Sequence, residues 1–102
     1  MMLITEKTKK IAHEYLKGFG FDDDKVEITV SKGIDELDKI FAQLKNEINQ
    51  KDIDTEEVDN ILHSIKGVLF QLGNAEDGAF IDQLRSELND SNIIEKIENF
   101  IK

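Results

Sequence analysis

Apolar residues recur at three- and four-residue intervals through most of this chain, and that spacing leaves few folds open to it. The plainest case is Val58, Ile61, Leu62, Ile65, Val68, Leu69 and Leu72, which form one stripe on one helix. Leu37, Ile40, Phe41, Leu44 and Ile48 form a second stripe, predicting a helix from Ile34 to about Asn49. Phe80, Ile81, Leu84 and Leu88 predict a helix over about Ala75–Leu88, and Ile93, Ile94, Ile97, Phe100 and Ile101 predict a last one. Ile11, Ala12, Tyr15, Leu16 and Phe19 mark the apolar side of a first helix, from Thr5 to about Lys17, which Gly18 or Gly20 would end.

The breaks between stripes carry helix-end chemistry. Asp54 with Glu57 three residues on has the pattern of a capping box, and Asn92 with Glu95 repeats it. Gly73 breaks the helix that contains Ile61, and Asn74 can cap the next one. Phe21-Asp22-Asp23-Asp24 reads as a solvated turn with Asp caps; the alternating ligands and distal Glu of an EF-hand loop are missing. Lys25–Val30 alternates Val26, Ile28 and Val30, a strand pattern with no partner strand elsewhere, and predicts an extended segment packing on the helices. Short connections between the last four helices favour antiparallel neighbours. The expected architecture is all-α: an antiparallel four-helix up-and-down bundle over residues 34–102. A further N-terminal helix and the extended segment, residues 1–33, pack on it within one structural domain.

Composition removes several classes of function. The 13 basic and 22 acidic residues give a formal charge of −9, which argues against nucleic acid and against anionic membrane as partners. No apolar run is long enough to span a bilayer, and the opening residues lack a signal-peptide pattern, so a cytoplasmic location is expected. Cysteine is absent, which excludes disulfides and thiolate metal sites. The two histidines are far apart in sequence, so no metal site is expected, and no Gly-rich phosphate loop is present, so no ATP-dependent kinase activity is expected either.

The chemistry that remains sits on the helix around Ile61. At about 100° per residue, His63 points about 160° away from the centre of the apolar stripe, and Gly67 flanks the same outward pole. Lys66 follows His63 at i+3, so the two side chains are surface neighbours. A free imidazole is largely neutral near pH 7, its ordinary pKa being about 6.5, and its ring nitrogen can attack phosphorus. Lys66 can offset charge on incoming phosphoryl oxygens, and Gly67 removes bulk where a partner must come close. The same residue types also describe an exposed His on an ordinary helix with a Lys nearby. Phe70 points outward by about 140° and offers an apolar docking contact. The other histidine, His13, has Lys17 four and Gly18 five residues after it, a different spacing that reads as structural or solvated.

The run His63-Ser64-Ile65-Lys66-Gly67, closed by Leu72-Gly73, resembles the signature of histidine phosphotransfer domains, and the helix order resembles theirs over Ile34–Lys102. Val68, Leu69 and Phe70 depart from it, standing where that family usually has small residues. The resemblance implies a phosphocarrier in which His63 takes a phosphoryl group from an aspartyl phosphate on a response-regulator receiver domain and passes it to another. A hybrid sensor histidine kinase would stand upstream, and no cofactor or metal of the chain's own would be needed. It implies His63 as phosphoacceptor, Lys66 for phosphoryl charge and Gly67 for partner access. Phe70, Asn60 and Gln71 are assigned to the partner-binding surface. The family's usual acceptor for the second ring nitrogen, a Glu or Gln on the following helix, falls at Arg85, which cannot accept and is instead a possible phosphoryl contact. Gln83 is close in sequence but lies on another side of that helix. The alternatives are a receiver-binding bundle without phosphotransfer and a helical scaffold unrelated to phosphate.

Overall fold

The computed structural model describes residues 4–101; residues 1–3 and 102, which the sequence-based limits include, lie outside that range. The described residues form five helices and no strand: α1 (Ile4–Lys17), α2 (Asp23–Ile48), α3 (Thr55–Gln71), α4 (Ala75–Ser86) and α5 (Ile93–Ile101). None of these helices is long and apolar enough to cross a membrane.

The largest departure from the sequence reading is at residues 25–33. They are not extended but belong to α2, which runs unbroken for 26 residues across the expected division at residues 33 and 34. The alternation of Val26, Ile28 and Val30 misleads because only two of the three face inward. Val26 and Val30 are buried, and Leu37 and Leu44 continue their line, whereas Ile28 is 57% exposed. That is an i, i+4 stripe, and a β-branched pair inside it lowers helix propensity only slightly. Asp22 nucleates the helix by accepting from Lys25 N–H at 2.8 Å, and Asp23 and Asp24 put negative charge at the positive end of the helix dipole.

The other helix ends follow their sequence cues with two changes of partner. Asp54 caps α3 by accepting from Glu56 N–H at 3.0 Å and Glu57 N–H at 3.4 Å. The return bond to Asp54 N–H comes not from Glu57 but from Glu47 Oε1, at 3.3 Å, which ties the end of α2 to the start of α3. At α5 the Asn92–Glu95 box is replaced by Asp90, which accepts from Asn92 N–H at 3.1 Å and pairs with Lys96 at 3.3 Å. Helix α4 stops at Ser86, two residues short of Leu88.

The turn between α3 and α4 is fixed by backbone and side-chain bonds together. Asn74 N–H donates to Leu69 C=O and Gly73 N–H to Phe70 C=O, at 2.8 and 3.1 Å, the paired bonds of a Schellman motif. Gly73 supplies the required φ of +84°, and any side chain there would also run into the ring of Tyr15 on α1. Asn74 is 1% exposed; its Nδ2 donates to Thr8 Oγ1 and to Asp77 Oδ2, each at 2.8 Å, and its Oδ1 accepts from Asp77 N–H at 3.3 Å. One side chain thus caps α4 and anchors α1 to it, and Lys7 reinforces the tie by pairing with Asp77 at 3.2 Å.

The core lies along α2, α3 and α4, with Leu37, Leu44, Leu62, Ile65, Leu69, Ile81 and Leu84 fully buried and Ile97 of α5 closing one side. Three expected apolar positions are not core: Tyr15 is 42% and Phe19 62% exposed, and Phe80 stacks on Phe100 at the surface.

Replacing Asn74 by Ala removes a cap and leaves the buried Thr8 hydroxyl without its partner, a loss of about 2 kcal/mol. Thermal unfolding of Asn74→Ala should therefore begin about 10 °C lower. An unchanged melt would mean that the joint does not hold α1 and α4 as described.

Candidate functional site

Every outward position of α3 between Asn60 and Gln71 is displayed on one face of the molecule. Asn60, His63, Ser64, Gly67, Phe70 and Gln71 are exposed, Lys66 is half-buried, and Ile61, Leu62, Ile65, Val68 and Leu69 between them are buried. The bulky Val68 and Leu69, where small residues were the expected pattern, are 6% and 0% exposed. Their volume therefore goes into the core and not onto the face that carries His63. Above Gly67 nothing lies within 4 Å of where a Cβ would stand, so that part of the face is open.

Phe70 has a double contact. Its ring is 41% exposed and rests on Gly78 of α4, where a Cβ would come within 3.1 Å of the ring edge. Lys66 Nζ lies 5.9 Å from the ring centroid, at the outer limit of a cation–π contact. The aromatic side chain thus fills the crossing between α3 and α4 with one edge and leaves the other to solvent.

Helix α4 brings its own charged residues to the same place. Arg85 Nε donates to Asp59 Oδ1 at 2.7 Å, and Arg85 Nη1 lies 3.1 Å from His63 Nδ1 and 3.3 Å from Asp82 Oδ1. Lys66 Nζ pairs with the other oxygen of Asp82 at 2.9 Å. The result is a chain of alternating charges, Asp59–Arg85–Asp82–Lys66, wrapped around one side of the imidazole. Two carboxylates and two cations cancel, so the groups next to His63 are balanced in a chain of net charge −9. Hydrogen bonding to Lys66 is the main force holding the Asp82 carboxyl below its ordinary range, with the Lys66 and Arg85 charges adding to it against a desolvation cost. The hydrogen bond to Asp59 raises Arg85 above its already high ordinary value, so it is cationic throughout.

His63, Lys66, Gly67 and Arg85 are therefore brought together on one face, and Arg85 meets the ring itself. His13 is remote in sequence and is paired with Glu27 at 3.6 Å. Gln83 lies with Glu76, Asp77, Ala79 and Phe80 along a shallow groove on α4. The residues that sequence reasoning missed are Asp59 and Asp82. Spacing held part of the signal: Asp59 is four before His63 and Asp82 three before Arg85, so each shares a helix face with that residue, but that Asp59 pairs with Arg85 and Asp82 with Lys66 depends on how α3 and α4 cross. No group of three or more His, Cys, Asp or Glu suited to a metal ion occurs among the described residues. Comparisons with protein-family models, curated proteins and solved structures gave no match.

Because Asp82 is held low in the folded chain, the stability it contributes is present above its ordinary value of 3.8 and is lost as pH falls through its lowered folded value. Carboxyl NMR should give Asp82 a midpoint below 3.8, and Lys66→Met should move that midpoint upward. An unmoved midpoint would show that Lys66 is not paired with Asp82 in solution.

Proposed function

We propose that this chain is a histidine phosphotransfer carrier of a two-component phosphorelay. His63 Nε2 attacks the phosphorus of an aspartyl phosphate on a response-regulator receiver domain; the N–P bond forms, the P–O bond breaks, and the aspartyl carboxylate leaves with the electron pair. The reverse step on a second receiver returns the chain to its starting state. A hybrid sensor histidine kinase supplies the phosphoryl group upstream, and the carrier works in the cytoplasm without a cofactor. In this reading α2 to α5 form an up-and-down antiparallel bundle, with α1 as an added helix.

The observation that carries the reading is the face of α3: an exposed imidazole, an open Gly67 one turn on, and cations from two helices beside it. An anionic phosphoryl donor approaching this face meets Lys66 and Arg85 with enough neighbouring acid to keep them ordered. Phe70, with Asn60 and Gln71 at the ends of the same face, supplies an aromatic contact inside a polar surround, the usual plan of a protein interface. The chain's own groups position and accept; activation of the donor belongs to the receiver.

A second reading has support from the same network. Lys66 is already paired with Asp82, and Arg85 already occupies one ring nitrogen, as would suit a bundle that binds a receiver without taking its phosphoryl group.

Offering a phosphorylated receiver to variants separates the two readings. Transfer should vanish in His63→Gln and persist in His13→Gln. In Gly67→Gln it should fall although the fold is equally or more stable, since Gly costs about 1 kcal/mol relative to Ala inside a helix. Receiver binding without transfer by the unaltered chain would favour the second reading. Transfer that survives in His63→Gln would refute the first.

A further inference from the structure

An arginine has five N–H donors and no acceptor. At 3.1 Å from His63 Nδ1, Arg85 Nη1 can only donate, so that nitrogen carries its lone pair toward Arg85. In the neutral ring the proton is then on Nε2, the nitrogen farther from the backbone. A protonated ring nitrogen has no in-plane lone pair to attack phosphorus. The resting arrangement thus holds His63 in the unreactive tautomer for transfer at Nε2.

Three further contacts keep Arg85 in this position. Its Nε is bonded to Asp59, its Nη1 shares its second hydrogen with Asp82, and Asp82 is braced by Lys66. Asp59 lies one helical turn before His63 on α3, so the two side chains are surface neighbours, and Arg85 now stands between them. Were Arg85 to move, the Asp59 carboxylate would be the acceptor within one turn of Nδ1. An anionic phosphoryl group arriving at His63 offers Arg85 the bidentate partner that guanidinium favours.

We propose that Arg85 is a tautomer latch on His63: it holds the proton on Nε2 at rest, and transfer to Nε2 proceeds when Arg85 moves onto the phosphoryl oxygens and Asp59 accepts a hydrogen bond from the newly protonated Nδ1. The tautomer change exchanges protons through water, one leaving Nε2 and one joining Nδ1. The Nε2 lone pair then forms the N–P bond while the donor's leaving group departs with the electrons of the broken bond. Asp59 and Arg85 act through His63 and are positioning residues. The inference rests on the reading of His63 as phosphoacceptor, but its first test does not use phosphoryl transfer.

That test is the long-range proton–nitrogen NMR pattern of His63 at about pH 8, where an ordinary imidazole is neutral. The unaltered protein should show the Nε2–H tautomer, and Arg85→Lys, which keeps a donor-only side chain, should show it too. Arg85→Met should show the Nδ1–H tautomer, and Arg85→Met with Asp59→Asn should lose that shift. An Nδ1–H tautomer in the unaltered protein overturns the latch whether or not any variant folds. An unshifted tautomer in Arg85→Met overturns it as well. If the tautomers behave as stated yet no receiver transfers to His63 in either protein, the latch stands and the carrier reading fails.

Discussion

The side chain of Asn74 is the constraint on which the rest of this structure depends. It is buried at the sharp turn between α3 and α4, and its amide satisfies the first turn of α4, the hydroxyl of Thr8 and the carboxylate of Asp77 at once. Gly73 beside it takes a backbone conformation that L side chains rarely adopt, and Tyr15 of α1 fills the space a side chain would need. The angle at which α4 leaves α3 is therefore fixed from both sides. That angle decides which residues of α4 reach the outward face of α3 three turns away, and Arg85 and Asp82 are the ones that do.

From this follows a division of labour within α3. One side of the helix is a dense apolar seam, from Val58 to Leu72, that holds the molecule together. The other side is free to carry chemistry, since nothing in the core depends on His63 or Gly67. The charged groups around His63 are half-exposed, and surface ion pairs of this kind add little to stability. Their effect is on orientation: each cation is held by a carboxylate, and one of them holds the imidazole in turn.

Much of this was legible in the sequence, for a physical reason. A helix that buries one face must repeat its apolar residues at its own period, so the extent of α3, the outward direction of His63 and the buried fate of the stripe all follow from spacing. The caps at Asp54 and Asn74 were legible because few residue types can satisfy free N–H groups at a helix start. The first two turns of α2 were not. Val26, Ile28 and Val30 satisfy a period of two as well as the i, i+4 pair of a helix, and only the partner surface decides which residues are buried. The role of Glu47 at Asp54, and those of Asp59 and Asp82 around Arg85, depend on how two helices cross. Charged residues on helix faces are common, and nothing in the order of the chain says which will meet.

The proposed carrier makes one chemical commitment above the others, that the phosphoryl group resides on His63. Incubation with a phosphorylated receiver, followed by fragmentation mass spectrometry under conditions that preserve phosphoramidate bonds, locates the group directly. The account predicts a single phosphoryl group, on His63, lost on brief acid treatment as an N–P bond is. A phosphoryl group on any other residue, or a receiver that loses its own to water while this chain gains none, would contradict it.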